Sequence, residues 1–121
     1  MLTPVEGRNI GEMVIGALKD RAAELDIDIR VNTAGNSLLT DDSGAVTGAV
    51  VSTAEGDYTI TADAVVMATG GFAANNEMVA QYNPDFEGLD FICSPGATGD
   101  GHKMAEAVGA ELVYMDVMKC N

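Results

Sequence analysis

Two glycine-containing bends carry most of the chemistry that this sequence offers. The first bend, Thr69-Gly70-Gly71, follows an apolar run at residues 64–68. That run lacks polar alternation, which is typical of a strand buried on both faces of a parallel sheet. Ligands of open α/β sheets bind outside the carboxyl ends of such strands, and glycine lets them approach the backbone closely. The pattern therefore predicts a ligand contact here, although an ordinary turn at a strand end fits the tripeptide equally well.

The second bend, Gly-Ala-Thr-Gly-Asp-Gly at residues 96–101, opens into a predicted helix that closes at Gly109. The amino terminus of a helix presents unpaired N–H groups, which suit a phosphate or another anion. Asp100 is predicted to cap this helix, or instead to accept a hydrogen bond from a ligand hydroxyl. The bend is not a GxGxxG dinucleotide fingerprint, because Met104 stands where the third glycine belongs.

The other reactive side chains predict neither a catalytic residue nor a metal site in this chain. His102 is the only histidine, and we interpret it as a packing or solvent-facing residue. Cys93 and Cys120 are isolated, which predicts two reduced thiols rather than a disulfide framework or a metal site. No serine lies in a GxSxG context.

Composition excludes several classes of partner. The 121 residues include 19 acidic and 6 scattered basic side chains, for a net charge of −13, so we expect no nucleic-acid binding. The stretch at residues 64–74, which lacks charged residues and proline, is far too short to span a bilayer, and we expect no membrane partner. The first residues lack the features of a signal peptide, which predicts a cytoplasmic chain and leaves the location of any longer parent protein open.

Hydrophobic periodicity and turn signals predict the elements that position the two bends. Helices are predicted over residues 7–25, over residues 75–82 with either Asn75 or Asn76 as the cap, and from the second bend to Gly109. Strands are predicted over residues 27–31, 37–40, 45–53, 58–61, 64–68 and 111–117. The three strands between residues 37 and 61 are joined by tight polar turns and predict a β-meander. The length fits one domain at most, or part of one.

Four segments in a fixed order resemble a known family. They are AVVMATGGF at residues 64–72, NNEM at residues 75–78, YNP at residues 82–84, and PGATGDG at residues 95–101 followed by Met104-Ala105. Together they resemble the FAD-binding domain of the fumarate reductase/succinate dehydrogenase flavoprotein family. Their form is more similar to the soluble fumarate reductase branch, which includes flavocytochrome c-type and urocanate reductase-like enzymes. The resemblance covers nearly the whole chain.

The resemblance implies an α/β fold. It is a partial, Rossmann-like FAD-binding domain that contains a three-stranded β-meander and lacks the amino-terminal βαβ unit. It also implies a parent enzyme in which FAD passes a hydride from flavin N5 to an activated C=C bond, as in an unsaturated carboxylate substrate. By match to the family, six residues are expected to contact FAD: Gly35 at the adenine, Thr69 and Gly70 at the strand end, and Thr98, Gly99 and Asp100 in the second bend.

Several motifs of the family are missing from this sequence. It carries no GxGxxG, no His-Pro-Thr-like motif, and neither the arginine proton donor nor the second histidine expected after that motif. We therefore expect residues 1–121 to be the central segment of a larger flavoprotein, inactive by itself. FAD is assigned to the parent protein, and its retention by this segment is left open. The alternative is a non-catalytic α+β module that forms homo-oligomers through exposed sheet edges and bare apolar faces.

Overall fold

The computed structural model describes residues 9–89 and 91–117. Its helices are α1 (Ile10–Glu24), α2 (Asn76–Tyr82) and α3 (Asp100–Ala107), with a short 3-10 helix at Pro84–Phe86; its strands are β1 (Ala34–Thr40), β2 (Val46–Thr53) and β3 (Gly56–Thr61). The chain divides into two compact units, of which the first ends at Asn32 and the second begins at Thr33.

The first unit contains helix α1. Asn9 caps the helix, because its side-chain oxygen accepts a hydrogen bond from Glu12 N at 2.8 Å. The predicted helix is thus confirmed from Ile10 onward, while residues 7 and 8 lie outside the described residues. Large apolar side chains of α1 are exposed, with Leu18 60% accessible.

The strand predicted at residues 27–31 is wrong. The alternation is present, but this segment joins no sheet in the described part of the chain. Ile27 and Ile29 are each 55% exposed. Apolar alternation makes a strand only where a neighbouring strand supplies hydrogen-bond partners and a face to bury.

The second unit is built on the predicted β-meander, which is confirmed. Its antiparallel order is β1-β2-β3, with Leu38 opposite Ala49 and Val50 opposite Thr59. The turn between β1 and β2 is held by Asp41, whose Oδ1 accepts from Ser43 N at 2.8 Å, from Ser43 Oγ at 2.6 Å and from Ala45 N at 3.0 Å. Such a side-chain turn is what the Asp-Asp-Ser-Gly signal predicts.

Helix α2 supplies the most deeply buried apolar side chains of this unit. Met78 and Val79 of α2 are 5% and 1% exposed. Asn83 follows α2 and is also buried; its Nδ2 donates to Met115 O at 2.9 Å, which ties the later part of the chain to this helix. Phe72 packs between two rings, with centroids 5.8 Å from Tyr82 and 5.7 Å from His102.

Two further predicted strands, at residues 64–68 and 111–117, are wrong. Neither segment pairs with a strand among the described residues, and Val66 is 88% exposed. The later segment bends instead, with Tyr114 at φ 55° and Val117 N donating to Tyr114 O at 3.0 Å. The combination of helices and a β-meander fits the predicted α/β class, but the described strands form one antiparallel sheet without a parallel centre.

Candidate functional site

The two glycine bends lie side by side in the second unit. Gly99 N donates to Gly71 O at 3.1 Å, and Ala74 N donates to Ala97 O at 2.9 Å. These backbone hydrogen bonds run in opposite directions between the bends, so the segments form one structural element although they are far apart in sequence. The structure thus brings together five of the six predicted site residues.

Glycine is required in the second bend because neighbouring atoms approach its backbone closely. Gly99 has φ +78°, and a Cβ built there would lie 2.9 Å from Phe72 Cβ. A Cβ built on Gly101 would lie 2.9 Å from Thr69 Cβ. Two carbon atoms that are not bonded cannot lie this close without steric overlap. The absence of a Cβ at these two glycines therefore lets the bends pack together.

Asn75 holds the second bend through a contact that the sequence did not reveal. Its Oδ1 accepts from Met78 N at 3.1 Å, which is the predicted cap of α2. Its Nδ2 donates to Thr98 O at 2.8 Å, across 23 residues of sequence. A capping asparagine signals only the first of these bonds, because the partner of the amide group is set by tertiary structure.

Thr98 and Asp100 form a side-chain pair in the second bend. Thr98 Oγ1 donates to Asp100 Oδ2 at 2.7 Å and lies 3.4 Å from Gly96 O. The prediction that Asp100 caps α3 is wrong, because Gly99 is the N-cap residue and Asp100 is the first residue of the helix. The left-handed backbone at Gly99 moves the helix start by one residue, and the carboxylate of Asp100 still lies where the helix dipole favours negative charge.

Gly35 is linked to the second bend indirectly. It lies at an irregularity of β1, where the register with β2 shifts between Gly35 and Ser37. A Cβ built on Gly35 would lie 3.8 Å from Cε of Met104, a residue of α3. The helix that begins at the second bend therefore packs over the strand that carries Gly35.

The first bend leaves its backbone open. Gly70 has φ +78°, and a Cβ at Gly70 or Gly71 would meet no atom within 4 Å. Thr69, Gly70 and Gly71 are all exposed. An exposed glycine backbone beside a second bend that is held by hydrogen bonds fits a nucleotide cofactor such as FAD, because glycine lets a ligand approach the backbone closely.

His102 packs beside the second bend against an aromatic ring. The His102 ring meets Phe72 edge-on, at an interplanar angle of 87°, which agrees with the packing role predicted from the sequence. Its Nδ1 is buried, with no hydrogen-bond partner in residues 9–89 and 91–117. Within these ranges no cluster of His, Cys, Asp and Glu is able to hold a metal ion, and no helix is long and apolar enough to cross a membrane.

Comparison with known proteins gives the relationship of this chain to characterised sequences. Fumarate reductase (cytochrome) of Shewanella frigidimarina is 42% identical over 119 residues, which is 98% of this chain and 21% of the relative. Urocanate reductase of Eggerthella lenta is 42% identical over 115 residues, 92% of this chain and 19% of the relative. The chain therefore spans about a fifth of the length of these curated relatives.

Solved structures give the same relationship. The open conformation of a flavocytochrome c3 fumarate reductase has a TM-score of 0.82 and 39% identity, over 89% of this chain and 19% of that one. The 3-ketosteroid-delta4-(5alpha)-dehydrogenase of Rhodococcus jostii RHA1 has a TM-score of 0.82 and 30% identity, over 93% of this chain and 24% of that one. The model of the FAD binding domain family matches residues 3–119. The chain thus belongs to the FAD binding domain family, as its resemblance to the FAD-binding domain of fumarate reductase-like flavoproteins predicts.

Proposed function

We propose that this chain supplies part of the FAD site of an oxidoreductase that reduces an activated C=C bond in a small unsaturated carboxylate. The observation that carries the proposal is the pair of hydrogen-bonded glycine bends, one with an open backbone and the other with the Thr98–Asp100 pair. FAD, when bound, supplies the two-electron chemistry of such a reduction.

The roles of this chain's own residues are to admit and hold the cofactor. Gly70 leaves its backbone open to close approach by the cofactor. Gly99 is proposed to lie beside the cofactor while it lets the two bends pack together, and Gly35 is proposed to lie beside it next to Met104. Thr69, Thr98 and Asp100 offer polar side chains at the same two bends. We assign no proton donor to the described residues, and the chain by itself is proposed to be inactive.

The names of the relatives support the substrate class. The relatives from Shewanella frigidimarina and Eggerthella lenta are named for fumarate and urocanate. The Rhodococcus jostii structure holds 4-androstene-3,17-dione. A C=C bond next to an electron-withdrawing carbonyl or carboxylate is common to the three compounds. We choose the carboxylate because these two curated relatives, named for fumarate and urocanate, are each 42% identical to this chain.

Exposed apolar segments support the proposal that residues 1–121 are a central segment of a larger flavoprotein. Val66 lies 88% exposed in a run whose composition is typical of a buried strand, and Ile29 is 55% exposed. The curated relatives are about five times longer than their match to this chain. The same exposed surfaces favour the second candidate, a module that self-associates.

Titration of the purified 121-residue chain with FAD tests the proposal. We expect saturable binding, followed by the visible absorbance and fluorescence of the flavin, and no reduction of fumarate when reduced methyl viologen is supplied. Failure to bind FAD up to millimolar concentration would contradict the proposed site. Fumarate reduction by the chain alone would show that its catalytic groups have been placed wrongly.

A further inference from the structure

Asn75 uses both ends of its side-chain amide. The oxygen caps α2 through Met78 N, and the nitrogen donates to Thr98 O, so one side chain connects the start of α2 to the second bend. The residue is partly buried.

The contact of Asn75 completes the hydrogen bonding of one peptide unit. Thr98 O accepts from Asn75 Nδ2, and the N–H of the same peptide, on Gly99, donates to Gly71 O. Both polar groups of this peptide are therefore used inside the chain. The groups left to face a cofactor in the second bend include the Thr98 hydroxyl and the Asp100 carboxylate, whose placement depends on how the peptide between them is held.

We propose that Asn75 is a positioning residue of the FAD site, which holds the Thr98–Gly99 peptide and thereby presents the Thr98–Asp100 pair to the cofactor in one arrangement. The inference rests on the proposed function and deepens it. Asn75 itself does not contact FAD in this proposal; it acts through the peptide that it binds.

The variant Asn75→Asp separates the two roles of the side chain. Aspartate caps helices as well as asparagine does, so the bond to Met78 N is kept. A carboxylate has no N–H to donate, and its oxygen would face Thr98 O. We expect FAD to bind about tenfold more weakly, the equivalent of one lost hydrogen bond.

A second variant and a matched control isolate the effect. Asn75→Ser keeps a capping oxygen without adding charge, and we expect a similar loss of affinity. Asn76→Asp adds the same negative charge one residue later, at an exposed position of α2, and we expect affinity within about twofold of the original chain. Both aspartate variants add one negative charge, which repels the FAD phosphates. The difference in FAD affinity between them therefore reports the loss of the Asn75 hydrogen bond without this general repulsion.

The measurements distinguish positioning from folding. FAD affinity and the visible circular dichroism of bound flavin are measured well below the melting temperature, with far-ultraviolet circular dichroism reporting the folded fraction. Amide exchange at Gly99, followed by nuclear magnetic resonance without FAD, is expected to accelerate in both Asn75 variants and not in Asn76→Asp.

Each outcome decides the inference. Weaker FAD binding by fully folded Asn75 variants, with faster exchange at Gly99, supports it. Unchanged affinity, or loss only in proportion to the unfolded fraction, overturns it while leaving the FAD site in place. If neither Asn75 variant folds, the residue serves folding and the positioning role is overturned. If the original chain binds no FAD, the proposed function fails and takes this inference with it.

Discussion

Gly101 lies directly against the side chain of Thr69, so that a Cβ at position 101 would come within 2.9 Å of Thr69 Cβ. Gly101 is a buried residue in the first turn of α3, and Thr69 opens the other bend. This close contact explains why glycine, which has poor helix propensity, occupies the first turn of α3. Adding a single methyl group at position 101 is therefore expected to disturb the packing of the two bends.

Gly101→Ala is therefore expected to destabilise the chain, by about 1–3 kcal/mol, because the added methyl group overlaps Thr69. The free energy of unfolding is measured by urea denaturation. Gly16→Ala in α1 is the control, because a Cβ there meets no atom within 4 Å. That change is expected to stabilise by about 0.5–1 kcal/mol through helix propensity. Equal stabilisation by both substitutions would show that the contact with Thr69 does not matter.

Gly70→Ala tests the open backbone of the first bend. Gly70 and Gly44 share a positive φ, +78° and +85°, and a Cβ at either position meets no atom within 4 Å. Alanine at either site is expected to cost about 1–2 kcal/mol of backbone strain. Only the Gly70 variant is expected to lose FAD affinity, by about tenfold or more, since its methyl group would occupy space proposed for the cofactor. Equal FAD binding by the two variants would argue against a cofactor contact at the first bend.

Asp41 is expected to make stability depend on pH. The Ser43 hydroxyl, followed by the backbone N–H groups of Ala45 and Ser43, lowers the pKa of Asp41 below its ordinary value. A carboxyl whose pKa is lower in the folded than in the unfolded chain adds stability above its unfolded pKa and loses it as the pH falls through the folded pKa. Asp41→Asn is therefore expected to be less stable than the original chain at neutral pH.

The difference in unfolding free energy between Asp41→Asn and the original chain is expected to shrink as the pH falls below about 4. Urea denaturation at a series of pH values measures it. Asp42→Asn removes the same charge from the neighbouring exposed residue and is the control. A difference that stays constant with pH, or that Asp42→Asn reproduces, would assign the effect to net charge instead of the Asp41 turn.

Val66→Asp is expected to reduce self-association of the isolated chain. Val66 is 88% exposed in an apolar run, so its replacement removes exposed apolar surface that favours association and changes little of the buried area. Light scattering at increasing concentration measures the average mass. Thr59→Asp, on the exposed side of β3, controls for the added charge. A strict monomer of the original chain at high concentration would contradict association through these surfaces.

Local features of the sequence determined the β-meander, α2 and the position of the second bend. Turns such as the one at Asp41, and caps such as Asn75, depend on residues a few positions away, so short-range chemistry is enough to predict them. The two glycine motifs by themselves predicted only a ligand contact, and their resemblance, with the segments between them, to the fumarate reductase family is what indicated a flavoprotein.

Only the tertiary structure decided which segments became strands and how the bends meet. Residues 27–31, 64–68 and 111–117 have the composition of strands, yet a strand needs a partner whose presence no local pattern encodes. The bond from Asn75 to Thr98 spans 23 residues, and the contact between Gly101 and Thr69 joins separate motifs. Such contacts depend on where the folded backbone brings distant atoms, so the sequence names the candidate residues while folding determines how they act together.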